Sequence, residues 1–125
     1  MKVSVWVGTT PSWEVLDRHL TFTFTEDGDA VPCRFGEAFG IDWFDDDYRE
    51  ASHAENRTLR TEELLQRHSH GAAIASALGE CSLEEPCNAI VLLYEFEYSG
   101  DVKSAHLDGD TALIFLDCVD IPEAS

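Results

Sequence analysis

Basic residues are scarce in this chain: 8 Lys and Arg stand against 25 Asp and Glu, giving a formal net charge of −17 at pH 7. Such a surplus repels phosphates, which disfavours direct nucleic-acid binding. Long apolar runs are missing as well. The longest, Ala89 to Tyr94, has the length of a buried strand and falls far short of the roughly 20 residues a membrane span needs, so no membrane role is expected. Residues Met1 to Val7 enter a strand-like alternation with no charged leader, apolar stretch or cleavage site, and a cytoplasmic location is expected. The four cysteines, Cys33, Cys81, Cys87 and Cys118, form no Cys-x-x-Cys pair; in a reducing compartment they read as buried or incidental thiols. P-loop, H-E-x-x-H, G-x-G-x-x-G and G-x-S-x-G patterns are all lacking, so no cofactor and no nucleophilic enzyme is expected.

What is present suffices for one core. Apolar residues make up 44% of 125, which argues against disorder and for a single domain spanning residues 1–125. The acidity has two sources. Residues 26–63 hold twelve acids against Arg34, Arg49, Arg57 and Arg60, and from Glu80 onward eleven acids face only Lys103. A fold is able to merge the two into one face.

Periodicity gives the expected elements. Val3, Val5 and Val7 alternate with Ser4 and Trp6 up to Gly8, as in a strand. Thr10 as cap and Pro11 at the first helical position then open a helix with Trp13, Leu16 and Leu20 on one side. Thr21 to Thr25 reads as a short strand, Glu26-Asp27-Gly28-Asp29 as a turn, and Cys33 to Phe39 as two helical turns stopped by Gly40. Leu59 to Gly79 reads as helix capped by Thr61 and broken near Ser69 to Gly71, followed by a loop from Glu80 to Pro86. In the last third, Ala89 to Tyr98, Val102 to Leu107 and Ala112 to Val119 predict a meander with turns at Ser99-Gly100 and Asp108-Gly109, leaving Val3 to Val7 to pair at its centre or edge. The expected class is α+β, a largely antiparallel sheet of four or five strands with helices packed on one face.

The most informative stretch is Phe39 to Glu50, where bulky aromatics are interleaved with carboxylates and only Arg49 offsets them. Trp43 and Phe44 are adjacent, so one ring is expected in the core and the other outside. The outer ring would anchor a partner, with Asp42, Asp45, Asp46, Asp47 and Glu50 selecting a positively charged one. The candidate partner-binding set is therefore Asp42, Trp43, Phe44, Asp45, Asp46, Asp47 and Glu50.

Two other readings compete with it. The Asp42 to Asp47 carboxylates with His68 or His70 would make a metal-dependent hydrolase, although their spacing matches no Ca²⁺ loop and His-x-His alone is a weak signal. Alternatively, the chain is an acidic adaptor for an unrelated basic protein.

Several blocks together resemble a known family. They are Val3 to Gly8, Glu26 to Asp29, Phe35 with Phe39 to Asp47, Leu64-Leu65 with His68-Ser69, and Asn88 to Tyr94. In this order they resemble immunity protein 22 of bacterial polymorphic-toxin systems, over residues 3 to 103, with Phe39 to Asp47 the most specific block. The resemblance implies a small cytosolic α+β protein that binds a cognate toxin domain and neutralises it without catalysis. A toxin that cleaves nucleic acid needs a basic groove, so the expected partner is a basic protein, a nuclease domain above all.

Overall fold

The computed structural model describes residues 1–79 and 82–122, which leaves Cys81 and the start of the expected Glu80 loop outside the described residues. In chain order the elements are β1 (Lys2–Thr9), α1 (Trp13–Leu20), β2 (Thr23–Phe24), β3 (Ala30–Val31), α2 (Arg34–Phe39), a 3-10 turn (Asp46–Tyr48), β4 (Arg49–Arg60), α3 (Thr61–Leu65), α4 (Gly71–Leu78), β5 (Ser82–Tyr94), β6 (Ser104–His106) and β7 (Ala112–Asp120). Five strands form one antiparallel sheet in the order β4-β5-β1-β7-β6, and β2-β3 is a separate hairpin. The α+β class and the antiparallel sheet are as expected.

The helices are not on one face. Alternation along β1 sends Trp6 to one side of the sheet, where it meets Leu16 and Leu20 of α1 and Phe35 and Phe39 of α2. Val3, Val5 and Val7 point to the other side, against Leu64 and Leu65 of α3 and Ile74 of α4. The reason is already in β1 and β5: Val3 to Val7 and Ala89 to Leu93 are at most 1% exposed, and strands buried on both faces require cover on both. Trp6 has Phe35, Phe39, Tyr98 and Phe115 around it at 4.9 to 5.8 Å between ring centroids, so the first core is aromatic and the second aliphatic.

The meander is also corrected. β1 inserts between β5 and β7, and the chain leaves β5 at Glu95, crosses past Ser99-Gly100 and reaches the far edge at β6, so those two residues make no hairpin. Ser4 explains the departure: its hydroxyl donates to the Phe96 carbonyl at 2.7 Å and accepts from the Tyr98 amide at 2.9 Å, pinning the exit. The turn at Asp108-Gly109 does join β6 to β7, with Asp108 Oδ1 accepting from the amides of Asp110 and Thr111 at 2.7 Å each.

Cap assignments shift locally. Ser12, not Thr10, caps α1 by accepting from the Val15 amide, because Thr10 is drawn into a buried pair with Asn88 and Thr111. Arg60, not Thr61, precedes α3, and its side chain makes no capping bond. Cys33 and Gly40 bound α2 as expected, with Gly40 in the left-handed region at φ 71°. Two expectations fail on β4 and β5. Leu59 is in β4 and not helical, and Ser82 to Pro86 belongs to β5. Pro86 is tolerated because β1 reaches β5 only from Ala89, leaving that stretch one neighbour instead of two.

Candidate functional site

Ile41 to Asp45 has no regular structure, yet it splits its two rings as expected. Phe44 is 3% exposed and packs on Phe22 and Phe35, whereas Trp43 is 55% exposed and stacks on Phe22 at 4.8 Å and 28° between planes. Phe44, expected in the partner-binding set, therefore supports the loop from within and exposes almost none of its ring. The exposed indole is held in place by its stacking, which lowers the entropy lost when it is buried by another surface.

Exposed carboxylates flank it in the sequence. Asp42, Asp45, Asp46 and Asp47 are all exposed; Asp45 caps the 3-10 turn through the Asp47 amide at 2.9 Å, and Asp46 faces Arg49 at 3.6 Å. Arg49 also reaches Asp17 of α1 at 3.5 Å, so the one cation of the segment is shared between two acids. On the other side, Asp42 and Trp43 border a cleft of about 520 Å³ together with Phe96, Glu97 and Tyr98. The two acidic stretches of the sequence thus meet at this cleft, through Asp42 and Glu97.

Glu50 has a different role from its neighbours. Its Oε1 accepts from the Tyr94 hydroxyl at 2.7 Å and lies 3.3 Å from His68 Nδ1, while Oε2 accepts from the Ser69 hydroxyl at 2.9 Å. Burial acts to raise its pKa, but the Tyr94 and Ser69 bonds and adjacent His68 outweigh it and hold the carboxyl below its ordinary 4.5. Burial first, then the Glu50 carboxylate, push the Tyr94 phenol far above its usual value. His68 Nε2 lies 2.9 Å from the Ser52 hydroxyl. The order Ser52, His68, Glu50 is that of a nucleophile, base and orienting acid. The carboxylate also accepts from Tyr94 and Ser69, and the network clasps the α3–α4 turn to β4 and β5.

This clasp engages both ring nitrogens of His68, although Asp46 borders the same groove as His68. Its two ring nitrogens face Ser52 and Glu50, and no group of three His, Cys, Asp or Glu able to hold a metal occurs among the described residues. Cys33 and Cys87 are buried free thiols whose pKa burial raises, which leaves them poorly reactive.

Sequence reasoning missed a second surface. Trp13 and Asp17 of α1, Arg49 to Ser52 of β4, and Arg67 and His68 line one open groove. Trp13 was expected on one side of the helix with Leu16 and Leu20, which are buried, yet its own ring is 39% exposed.

No curated protein and no solved structure matches the chain. The family model described as Immunity protein 22 matches residues 3–119, nearly the whole length and well past the end of the resembling blocks. On that match this chain belongs to the Immunity protein 22 family and has the toxin-neutralising role of an immunity protein.

Proposed function

We propose that this chain neutralises a basic toxin domain in the cytoplasm by occluding it stoichiometrically, without cofactor or turnover, and that the toxin is a nuclease. The observation that carries this reading is the exposed Trp43, stacked on Phe22 in a segment whose Asp42, Asp45, Asp46 and Asp47 are all exposed. An indole beside fixed charges is the make-up of a binding hot spot, and a net charge of −17 steers a cationic partner toward it. Charge sets how fast the complex forms; the ring sets how long it lasts. A groove that binds phosphates is basic by necessity, so a nuclease presents the surface these carboxylates fit.

The experiment uses the toxin domain encoded beside this chain's gene. Stopped-flow association at low and high salt is expected to show a steep salt dependence for the natural chain. Replacing Asp45, Asp46 and Asp47 together by Asn is expected to slow association roughly tenfold at low salt and to flatten that dependence. An unchanged rate in the triple variant would remove these residues from the encounter surface. A toxin left fully active at a one-to-one ratio would end the reading.

A further inference from the structure

The sheet ends at β4, and among the described residues no strand lies beyond it. The direction of its backbone groups follows from one hydrogen bond. The Glu95 amide donates to the Lys2 carbonyl at 2.7 Å, so the peptide group joining Tyr94 to Glu95 sends its N–H toward β1 and its carbonyl toward β4. Strict alternation in an antiparallel ladder then turns Leu92 and Ile90 toward β4 as well. Their register partners, Glu50 and Ser52, point back at β5. Arg49, Ala51 and His53 therefore turn their backbone N–H and C=O groups outward. The Arg49 amide is consumed locally by the Asp46 carbonyl, which leaves those of Ala51 and His53 facing away from the sheet.

The space outside this edge is a trough. Consecutive strand residues face opposite sides of a sheet, so a groove that touches Arg49, Glu50, Ala51 and Ser52 alike lies along the strand's rim and not over one face. α1 walls it on one side with Trp13 and Asp17, and the α3–α4 turn walls it on the other with Arg67 and His68. A second cavity of about 630 Å³ continues it past Ser52, His53 and Ala54 toward Glu55 and Glu63. The register between β4 and β5 is regular from Arg49 to His53 and shifts between His53 and Thr58, so a straight pairing segment exists only at the end nearest the acidic loop.

We infer that the Arg49–His53 edge of β4 accepts an extended, positively charged segment of the toxin as a sixth strand of the sheet, an inference that rests on the inhibitor reading above. Charge selects this occupant. The trough carries Asp17, Asp46, Glu50, Glu55 and Glu63 against Arg49 and Arg67. A second copy of this chain would bring another −17 to the same edge. Backbone pairing supplies affinity that is independent of side chains, and alternate side chains of the incoming strand meet α1 and the α3–α4 turn.

The test is Ala51→Pro, which deletes an outward N–H and leaves the bonds to β5 untouched, since proline is tolerated where an edge strand's N–H faces away from the sheet. Ala51→Thr is the control that keeps the N–H. Binding of the toxin domain encoded beside the gene is measured by calorimetry, with residue-resolved amide exchange on the unmodified chain, free and bound. Expected are an unchanged melting temperature, about tenfold weaker binding for Ala51→Pro with near-normal binding for Ala51→Thr, and slowed exchange at Ala51 and His53 in the complex. If Ala51→Pro fails to fold, His53→Pro and the exchange data decide the matter alone. Tight toxin binding with Ala51 and His53 exchanging as in the free chain overturns the edge docking and leaves the inhibitor reading standing. A natural chain that elutes as a dimer with both amides protected overturns it in favour of self-pairing. A natural chain that does not bind the toxin overturns both.

Discussion

The two rims of the sheet differ in almost every respect. β6 is three residues long, whereas β4 is twelve. A short rim gives an incoming strand too few backbone groups to pair with, and Lys103, just before β6, adds a charge there. β4 is guarded only over its second half, where Glu55 and Arg57 and the shifted register spoil straight pairing. Its first half, Arg49 to His53, is regular, walled on two sides and adjoined by exposed aspartates. A fold that blunts one rim by shortness and half of the other by irregularity leaves one stretch open, next to its densest charge.

The sharpest way to break this comparison is to put proline on each rim. On β4, Ser52 points its N–H at β5 and its hydroxyl at His68, so Ser52→Pro removes a ladder bond and the clasp bond together. A loss of about 3 kcal/mol or more is expected. On β6, the Phe115 amide donates to the Lys103 carbonyl, which by alternation turns His106 outward; His106→Pro is expected to change stability by only about 0.5 kcal/mol. Urea midpoints of the two variants check this. Equal losses would mean that the inward and outward assignments are wrong.

The contrast between the rims also shows what a sequence reveals. β1, α2 and β7 were legible because Val3, Val5 and Val7, the Phe35–Phe39 spacing with Gly40, and the apolar residues after Ala112 carry their own periodicity. So was the division between Trp43 and Phe44, since adjacent rings seldom share an environment. β4 was not legible. Arg49 to Arg60 is mostly polar, and what makes it a strand is its pairing with the apolar β5, a long-range fact absent from its own composition. The same holds for the clasp: Ser52 and Glu50 lie 16 and 18 positions from His68, and only the β4 register brings them to it. Helices on both faces were legible in principle, because Ala89 to Tyr94 is an unbroken apolar run and such strands are covered twice.

A milder test compares the carboxylates that pin each end. Near β4, Glu50→Ala leaves the Tyr94 hydroxyl and His68 Nδ1 without their acceptor in a part-buried site, and a loss of about 2 kcal/mol is expected. Near β6, Asp108→Ala removes a turn cap together with the 2.8 Å contact to His19 Nε2, both of which water replaces in part, at about 1 kcal/mol. Both carboxyls have pKa values below their ordinary ones: Asp108 chiefly through the Asp110 amide, Glu50 through the hydrogen bonds described above, which outweigh its burial. The sign follows from linkage. A carboxyl whose folded pKa lies below its unfolded one adds stability that is complete above the unfolded value and vanishes as pH falls through the folded value. Stability is thus expected to drop as pH falls below 4.5 for Glu50 and below 3.8 for Asp108. Glu50→Gln is expected to flatten the first part of that acid limb in chemical denaturation, and an unaltered profile would show that the clasp does not need the charge.

The smallest effect isolates shortness from charge at the β6 rim. Lys103 Nζ lies 5.2 Å from the Phe115 ring centroid and 5.9 Å from that of Tyr98, and it donates to the Gly100 carbonyl at 3.1 Å. Lys103→Met keeps the apolar stem over both rings and removes the cation, for an expected loss of about 0.5 kcal/mol. If three residues are too few to template a partner strand, the variant stays monomeric in sedimentation at high concentration. Should it dimerise through β6, the lysine and not the length is the guard. The open half of β4, which has Arg49 tied to Asp17 and Asp46 and no free lysine at its rim, would then owe its availability to the missing cation as much as to its regular register.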